Sequence, residues 1–208
     1  MKIRAIGVAA GAWLAGMAQA QINVEGFLSG DNQFDAFSGT SSGTTTHLGG
    51  LDDWNHVLSF NTVVSTNGYL YVAVSDYGDV VALGGYISTN GGVSYDAILP
   101  GAGWESYNAG PNNFMHPDRA TIDTYIAAAN AASSGGGNGW VESTAGTASV
   151  SFGLPIDYNG MPVLGSIWDP RAGVNDTVVF RLQIVPTPHS VAPILAGVIA
   201  ISRRRREQ

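Results

Sequence analysis

The chain has 208 residues, with nine basic and sixteen acidic side chains and no cysteine, which excludes disulfides, thiol catalysis and cysteine-ligated zinc. Residues 21–184 contain three basic side chains (Arg119, Arg171 and Arg181) against fifteen acidic ones, a net charge of −12, and no lysine. Because phosphate groups need Lys and Arg for neutralisation, this charge makes nucleic acid and anionic lipid poor partners of that segment.

The first twenty residues have the pattern of a cleavable signal peptide. Lys2 and Arg4 precede an apolar run from Ala5 to Ala18, and Ala18-Gln19-Ala20 follows as an Ala-x-Ala site. A charged start, an apolar middle and a small-residue site are the three parts of a secretory signal. We expect signal peptidase to cleave after Ala20 and the rest of the chain to be exported.

Residues 21–184 are the length of one domain that can bury a sizeable core. Gln21–Glu25 alternates polar and apolar residues, which predicts a half-buried strand. Ser29–Gly50 is rich in Gly, Ser, Thr and Asn, which predicts a loop. The Asn67-Gly68 pair between Val57–Val64 and Tyr69–Ser75 predicts a β-hairpin.

The remaining segments also favour short strands. Tyr69–Val74 is apolar at both parities, which predicts a central strand that is covered on both faces. Thr177–Ile184 alternates, with Val178, Phe180, Leu182 and Ile184 predicted to face inwards and Val179 outwards. The other predicted strands are Val80–Ile87, Trp104–Tyr107, Trp140-Val141, Ala148–Phe152 and Pro162–Trp168.

One segment has a helical period. Ile122, Tyr125, Ile126 and Ala129 fall on one face of a helix, and Asp118 is the expected N-cap. About eight short strands with Gly-rich turns and one short helix predict an all-β fold, an antiparallel β-sandwich or jelly roll.

Six aspartates are candidate calcium ligands, because calcium is bound by carboxylate, amide and backbone oxygens from flexible loops. The spacing is not that of an EF-hand, and turn-forming aspartates or a glycosidase carboxylate pair remain alternatives. No other cofactor is indicated. The six are Asp31, Asp35, Asp52, Asp53, Asp76 and Asp79.

Two tryptophans are candidate sugar-binding residues. Trp54 has Asp52, Asp53 and Asn55 as neighbours, and Trp104 precedes Glu105, so each combines an aromatic face with hydrogen-bonding groups. Burial in a β core is the alternative for either ring. The four histidines are scattered without metal-ligand spacing, and Gly39-Thr40-Ser41-Ser42-Gly43 lacks the strand and helix of a nucleophile elbow. No catalytic residues are predicted.

The last 24 residues combine a proline motif, an apolar run and a basic cluster. Val191–Ile201 has eleven residues, which as a helix cover about 17 Å, against a bilayer core of about 30 Å. Such a span suits a segment that is recognised and processed better than a permanent transmembrane anchor. Arg203–Arg206 would stay on the cytoplasmic side.

This tail resembles the PEP-CTERM sorting signal of exported bacterial proteins. The resemblance covers residues 185–208 and departs from the family at Thr187, where Glu is usual. It implies processing by a membrane exosortase, transient insertion into the inner membrane, and delivery to the cell surface. The residues that carry it are Val185, Pro186, Thr187, Pro188, Arg203, Arg204, Arg205 and Arg206.

The middle of the chain resembles, more loosely, galactose-binding jelly rolls. The segments that carry this resemblance are Tyr69–Ile87, Trp104–Tyr107, Tyr125–Asn130 with Trp140, and Val178–Leu182.

The sequence therefore predicts a signal peptide (1–20), an acidic β-sandwich domain (21–184) and a sorting tail (185–208). PEP-CTERM tails are associated with exopolysaccharide production, so the leading hypothesis is a non-enzymatic surface or matrix protein that binds polysaccharide. A secreted glycoside hydrolase with paired carboxylates and a structural surface protein without a ligand are the alternatives.

Overall fold

The structure is a computed structural model that describes residues 20–78, 80–111, 118–147 and 157–186. The predicted signal peptide up to Gln19, including Ala18, lies outside these residues, as do Asp79 and His116. The strand expected at Ala148–Phe152 and the tail from Thr187 onwards, with Pro188 and Arg203–Arg206, also lie outside them.

The described residues form two antiparallel six-stranded sheets, a two-stranded ribbon and one helix. In chain order the strands are β1 (Gln21–Asp31), β2 (Gln33–Thr40), β3 (Gly43–Leu51), β4 (Leu58–Ser65), β5 (Tyr69–Ser75), β6 (Ala82–Ser88), β7 (Asp96–Ala97), β8 (Trp104–Pro111), β9 (Val141–Glu142), β10 (Thr144–Ala145), β11 (Asp157–Tyr158), β12 (Met161–Pro162), β13 (Ile167–Trp168) and β14 (Asp176–Gln183), and the helix α1 is Arg119–Ser134.

The strands divide between the sheets so that successive long strands often lie in different layers. The first sheet has the order β10-β13-β6-β1-β4, with β7 paired to β6, and the second has the order β3-β2-β5-β14-β8-β9. The ribbon is β11 with β12. The chain therefore crosses between the layers at several places, such as β1 to β2, β5 to β6 and β13 to β14.

The main core lies between the two sheets. Every second residue of β5 and β14 points into it, as the period-two pattern predicts. The all-β sandwich expected from the sequence is confirmed at this level. The large side chains of this core include Leu28, Phe34, Leu70, Leu83, Trp104, Ile167, Trp168 and Phe180.

A second apolar layer lies on the outer face of the second sheet, under α1. Ile122 and Ile126 of the helix pack there with Phe37, Tyr71 and Val179. Tyr69–Ser75 is therefore covered on both faces, as predicted. Val179 was expected to face outwards, and it does point away from the main core, but the helix buries it.

The composition of Ser29–Gly50 predicted a loop, and this prediction is wrong. The segment instead contains β2 and nearly all of β3. These strands pair along their whole length, and Ser41-Ser42 forms the turn between them. The many threonines and glycines are typical of a loop, but Phe34 and Ala36, two residues apart, both point into the core as in a strand. Strand propensity reflects packing on neighbouring elements, and here β5 and α1 supply that packing.

The prediction of a β-hairpin at Asn67-Gly68 is also wrong. The turn exists, with the Gly68 amide donating to the Ser65 carbonyl at 2.7 Å and Asn67 at a φ of 65°. However, β4 pairs with β1 in the first sheet, whereas β5 lies between β2 and β14 in the second. The turn therefore joins the two layers, because β5 is apolar on both faces and takes a central position.

Within the described residues, no helix has both the length and the apolar character needed to cross a bilayer.

Candidate functional site

A cleft in which charged groups converge opens at the edge of the second sheet. Its walls are β2, the edge strand β3 and the N-terminal end of α1, and its volume is about 660 Å³. Phe34 and Ala36 of β2 enter the main core. The residues that alternate with them, Asp35 and Phe37, therefore point to the opposite face of the sheet. The alternation of β2 thus places a carboxylate on the helix side, where the cleft opens.

Asp35 and His47 form the floor of the cleft. The His47 Nε2 lies 2.8 Å from Asp35 Oδ1, and the imidazole stacks on the Phe37 ring at a centroid distance of 4.8 Å. Asp35 is almost buried, whereas the His47 side chain is 54% exposed. A Cβ at Gly50, the residue paired with Asp35, would collide with Asp35 Oδ1, so glycine leaves the space that this carboxylate occupies.

The rim of the cleft carries Asp52, Asp118 and Arg119. Asp118 is the N-cap of α1, as the sequence predicted, and its carboxylate accepts a hydrogen bond from the Thr121 amide at 2.7 Å. That bond, made to an anion, lowers the pKa of Asp118. The residues of the cleft thus include three carboxylates, one guanidinium and one imidazole.

The helix is held against the edge strand through Thr44. Asp123 Oδ1 accepts hydrogen bonds from the Thr44 amide at 2.7 Å and from the Thr44 hydroxyl at 2.8 Å. Arg119 donates to the Thr44 carbonyl at 2.5 Å. These contacts cover part of the free edge of β3 and fix the distance between the two walls of the cleft.

Trp54 lies close to the cleft in sequence, two residues after Asp52, in the loop between β3 and β4. Its side chain is 39% exposed, and the Ser29 hydroxyl anchors the loop by donating to the Trp54 carbonyl at 2.8 Å. The neighbouring Asp53 accepts from the Asn55 amide at 3.0 Å and lies 3.0 Å from His56 Nδ1. Trp54 therefore offers a partly open aromatic face, while Asp53 is a turn-forming aspartate.

Trp104 does not offer such a face. It is 3% exposed and belongs to the main core, where β8 turns Trp104 and Ser106 inwards. A ring that is packed between two sheets is not available to stack on a sugar, so the structure contradicts the sugar-binding prediction at Trp104. The alternative reading, a buried tryptophan, is the one that the structure shows.

The five candidate calcium ligands that the structure describes do not form one site. Asp35 and Asp52 line the cleft, Asp53 is in its own turn, and Asp31 and Asp76 lie where the chain crosses between the sheets. Among the residues that the structure describes, no group of three or more His, Asp or Glu side chains is placed to hold a metal.

Asp31 and Asp76 are both buried, with exposures of 4% and 0%. Asp31 Oδ1 accepts no hydrogen bond from the described residues. Burial, and then the charge of Asp76, raise the pKa of Asp31 to about 7. Asp76 Oδ2 accepts from the Asn175 amide at 2.9 Å.

Asp169, which is 2% exposed, has a different environment. Arg171 Nη2 donates to Asp169 Oδ2 at 2.7 Å, and Arg171 Nε donates to Oδ1 at 3.0 Å, so the guanidinium binds the carboxylate in a bidentate manner. Burial alone would raise the pKa of Asp169, but the hydrogen bonds and charge of Arg171 outweigh burial and hold that pKa below its usual value.

The sequence did not predict the contribution of His47, Asp118 and Arg119 to a site. The alternation of Phe34, Asp35, Ala36 and Phe37 was a signal that Asp35 points away from the core. Nothing in the spacing placed the start of α1 beside it. Ser41 of the Gly-x-Ser-x-Gly match lies in the exposed β2–β3 turn and not at a strand-to-helix turn, as expected of a chance match.

The described ends of the domain adjoin the predicted processing sites. The Ala20 carbonyl accepts hydrogen bonds from the Thr66 amide and hydroxyl, at 2.8 and 2.6 Å. Val185 and Pro186 follow β14, and Val185 is 54% exposed.

Comparison with known proteins gave no match to a protein-family model, a curated protein or a solved structure.

Proposed function

We propose that this is an exported surface or matrix protein that performs no catalysis and binds polysaccharide through the cleft and through Trp54, which follows the rim residue Asp52 by two positions. The observation that carries the proposal is the open cleft of about 660 Å³, in which Asp35, His47, Asp52, Asp118 and Arg119 converge. Carboxylates and a guanidinium are suited to sugar hydroxyls, and the partly exposed Trp54 ring is suited to the apolar face of a sugar.

The charge of the cleft narrows the ligand class. Three carboxylates against one guanidinium leave an excess of negative charge, on a domain whose net charge is −12. Uronic-acid polymers would be repelled, whereas an amino sugar would place its ammonium group beside Asp52 or Asp118. We therefore expect neutral glycans and, most strongly, amino-sugar polymers such as chitosan to bind.

A glycan array tests this proposal with the full-length chain. We expect retention of neutral and amino-sugar glycans, and a loss of at least tenfold in apparent affinity for Trp54→Ala, because stacking and hydrogen bonding act together. Val93→Ala, which also trims an exposed apolar side chain (Val93 is 84% exposed), is the control and should bind normally. An array on which the unmodified chain retains no glycan would favour a structural protein without a ligand.

The hydrolase remains a second candidate because the cleft brings Asp35, Asp52 and Asp118 together. A glycosidase needs two carboxylates that face each other across the scissile bond. Release of reducing ends from the retained glycan, abolished in both Asp35→Asn and Asp52→Asn, would replace the binding proposal by this one. We expect no release.

Export and sorting are supported by the two terminal sequence patterns. We propose cleavage by signal peptidase after Ala20, transient insertion of the tail into the inner membrane, and processing by an exosortase-like enzyme at the cell envelope. Mass spectrometry of the native protein is the test. We expect Gln21 as the first residue and loss of Arg203–Arg206, and recovery of the intact chain from the cytosol would contradict the proposal.

The finer fold assignment that we propose is a jelly roll. It is supported by the way long strands alternate between the two sheets, with β1, β4 and β6 in one and β2, β5 and β14 in the other.

A further inference from the structure

Two chain crossings meet at the end of the sandwich where Asp31 and Asp76 lie. The chain passes from the first sheet to the second between β1 and β2, and it returns between β5 and β6. The Asn32 amide donates to the Ser75 carbonyl at 3.2 Å, and the Tyr77 amide donates to Asn32 Oδ1 at 2.6 Å. The last residue of β1 and the first residue after β5 are thus brought together by backbone geometry.

Each of these crossings contributes a buried carboxylate. Asp31 is paired in register with Ala82 at the start of β6, and the amide of Asp76 donates to the Asp176 carbonyl at 3.2 Å. Two like charges in a site sheltered from water repel each other, and each loses hydration. Asp31 Oδ1 accepts no hydrogen bond from the described residues that would offset this cost.

A bound cation would remove the cost. Carboxylates from two different crossings can bridge one ion, and backbone carbonyls and amide oxygens can complete its coordination, as calcium accepts six to eight oxygens in flexible geometry. Magnesium keeps most of its water and demands a regular octahedron, which suits a crowded crossing less well. The surroundings therefore favour calcium.

We propose that Asp31 and Asp76 bind a calcium ion that ties the two sheets together where β1 passes to β2 and β5 passes to β6. The ion is structural, and it lies apart from the Asp35–His47 floor of the cleft. Weak extracellular calcium modules bind with dissociation constants of about 0.1–1 mM, and we expect an affinity in this range, which rests on the export proposed above.

Thermal unfolding of the full-length chain tests the site, first in a chelator and then in calcium chloride. At a calcium concentration about 100-fold above the dissociation constant, we expect the melting midpoint to rise by about 5–10 °C. Asp31→Asn should abolish the rise. The matched control Asp96→Asn changes an exposed aspartate of β7 and should keep the rise in full.

Two results would overturn the proposal. One is a midpoint of the unmodified chain that does not respond to calcium, as expected if the two carboxylates share a proton instead. The other is a calcium response that persists in Asp31→Asn. If Asp31→Asn does not fold, equilibrium dialysis of the unmodified chain against calcium decides, because the proposal requires one retained ion per chain and fails at none.

Discussion

The acids at the sheet crossings and the acids on the rim of the cleft are in opposite environments. Asp31, Asp76 and Asp169 are almost completely buried, whereas Asp52 and Asp118 are exposed. A buried carboxylate must be compensated, by an arginine, a proton or a cation, so the crossing acids are tied to the stability of the fold. An exposed carboxylate costs little to keep and is accessible to a ligand. Burial thus separates the structural acids from Asp52 and Asp118, the rim acids that we assign to binding.

The largest effect is expected at the compensated buried pair. Arg171→Met would leave Asp169 charged in the interior, and breaking a buried pair in this way costs about 3–5 kcal/mol. Urea unfolding should show this loss in the free energy of unfolding. Arg119→Met is the control. It removes a partly exposed pair with Asp123 at 4.0 Å and the hydrogen bonds from Arg119 to Thr44, and it should lose less than about 2 kcal/mol. Equal losses would mean that burial does not distinguish the two pairs.

The pH dependence of the unfolding free energy in the acidic range should also depend on Asp169. Its pKa is lowered in the folded chain, so the pair contributes stability above the unfolded value of about 3.9, and that contribution disappears as the pH falls through the folded pKa. Asp169→Asn should therefore flatten the decline of the unfolding free energy below about pH 4. An unchanged slope would show that Arg171 does not perturb Asp169 in solution.

A smaller effect is expected at the exposed N-cap. Asp118→Ala removes the acceptor of the Thr121 amide, and we expect the melting midpoint to fall by about 2–4 °C. Asp118→Asn keeps a capping oxygen and should change the midpoint little. If both variants melted alike, the charge of Asp118, rather than its cap, would be what stabilises the helix.

The sequence predicted the parts of the fold that depend on one segment. Thr177–Ile184 alternates because one face of β14 enters the main core, whereas the other face carries Arg181 and Gln183 beyond Val179. Asp118 with Ile122 and Ile126 is sufficient to define α1. The sequence-based predictions were wrong where strand pairing with distant segments decides the structure. The composition of β2 and β3 resembles a loop, and the Asn67-Gly68 turn joins two sheets because β5 pairs elsewhere.

The cleft could not be predicted for the same reason. Asp35, His47 and Arg119 are far apart in the sequence, and strand pairing and helix docking bring them together. The burial of Trp104 and the partial exposure of Trp54 depend equally on which strands cover them. Both tryptophans have acidic neighbours in the sequence, so the local sequence does not tell the buried ring from the exposed one. Only the packing of the strands does.

The smallest effect on stability, and the largest on binding, is expected for Asp52→Asn. Because Asp52 is exposed, the substitution should change the melting midpoint by less than about 2 °C. It nevertheless removes a charge from the rim of the cleft.

Calorimetric titration of the full-length chain with a glucosamine hexamer measures that binding most directly. We expect the unmodified chain and Asp96→Asn to bind alike and Asp52→Asn to bind at least tenfold more weakly, since a hydrogen bond to a charged group contributes about 1.5–3 kcal/mol. Equal affinities for all three chains, or no heat of binding to the unmodified chain, would contradict the assignment of the cleft as an amino-sugar site.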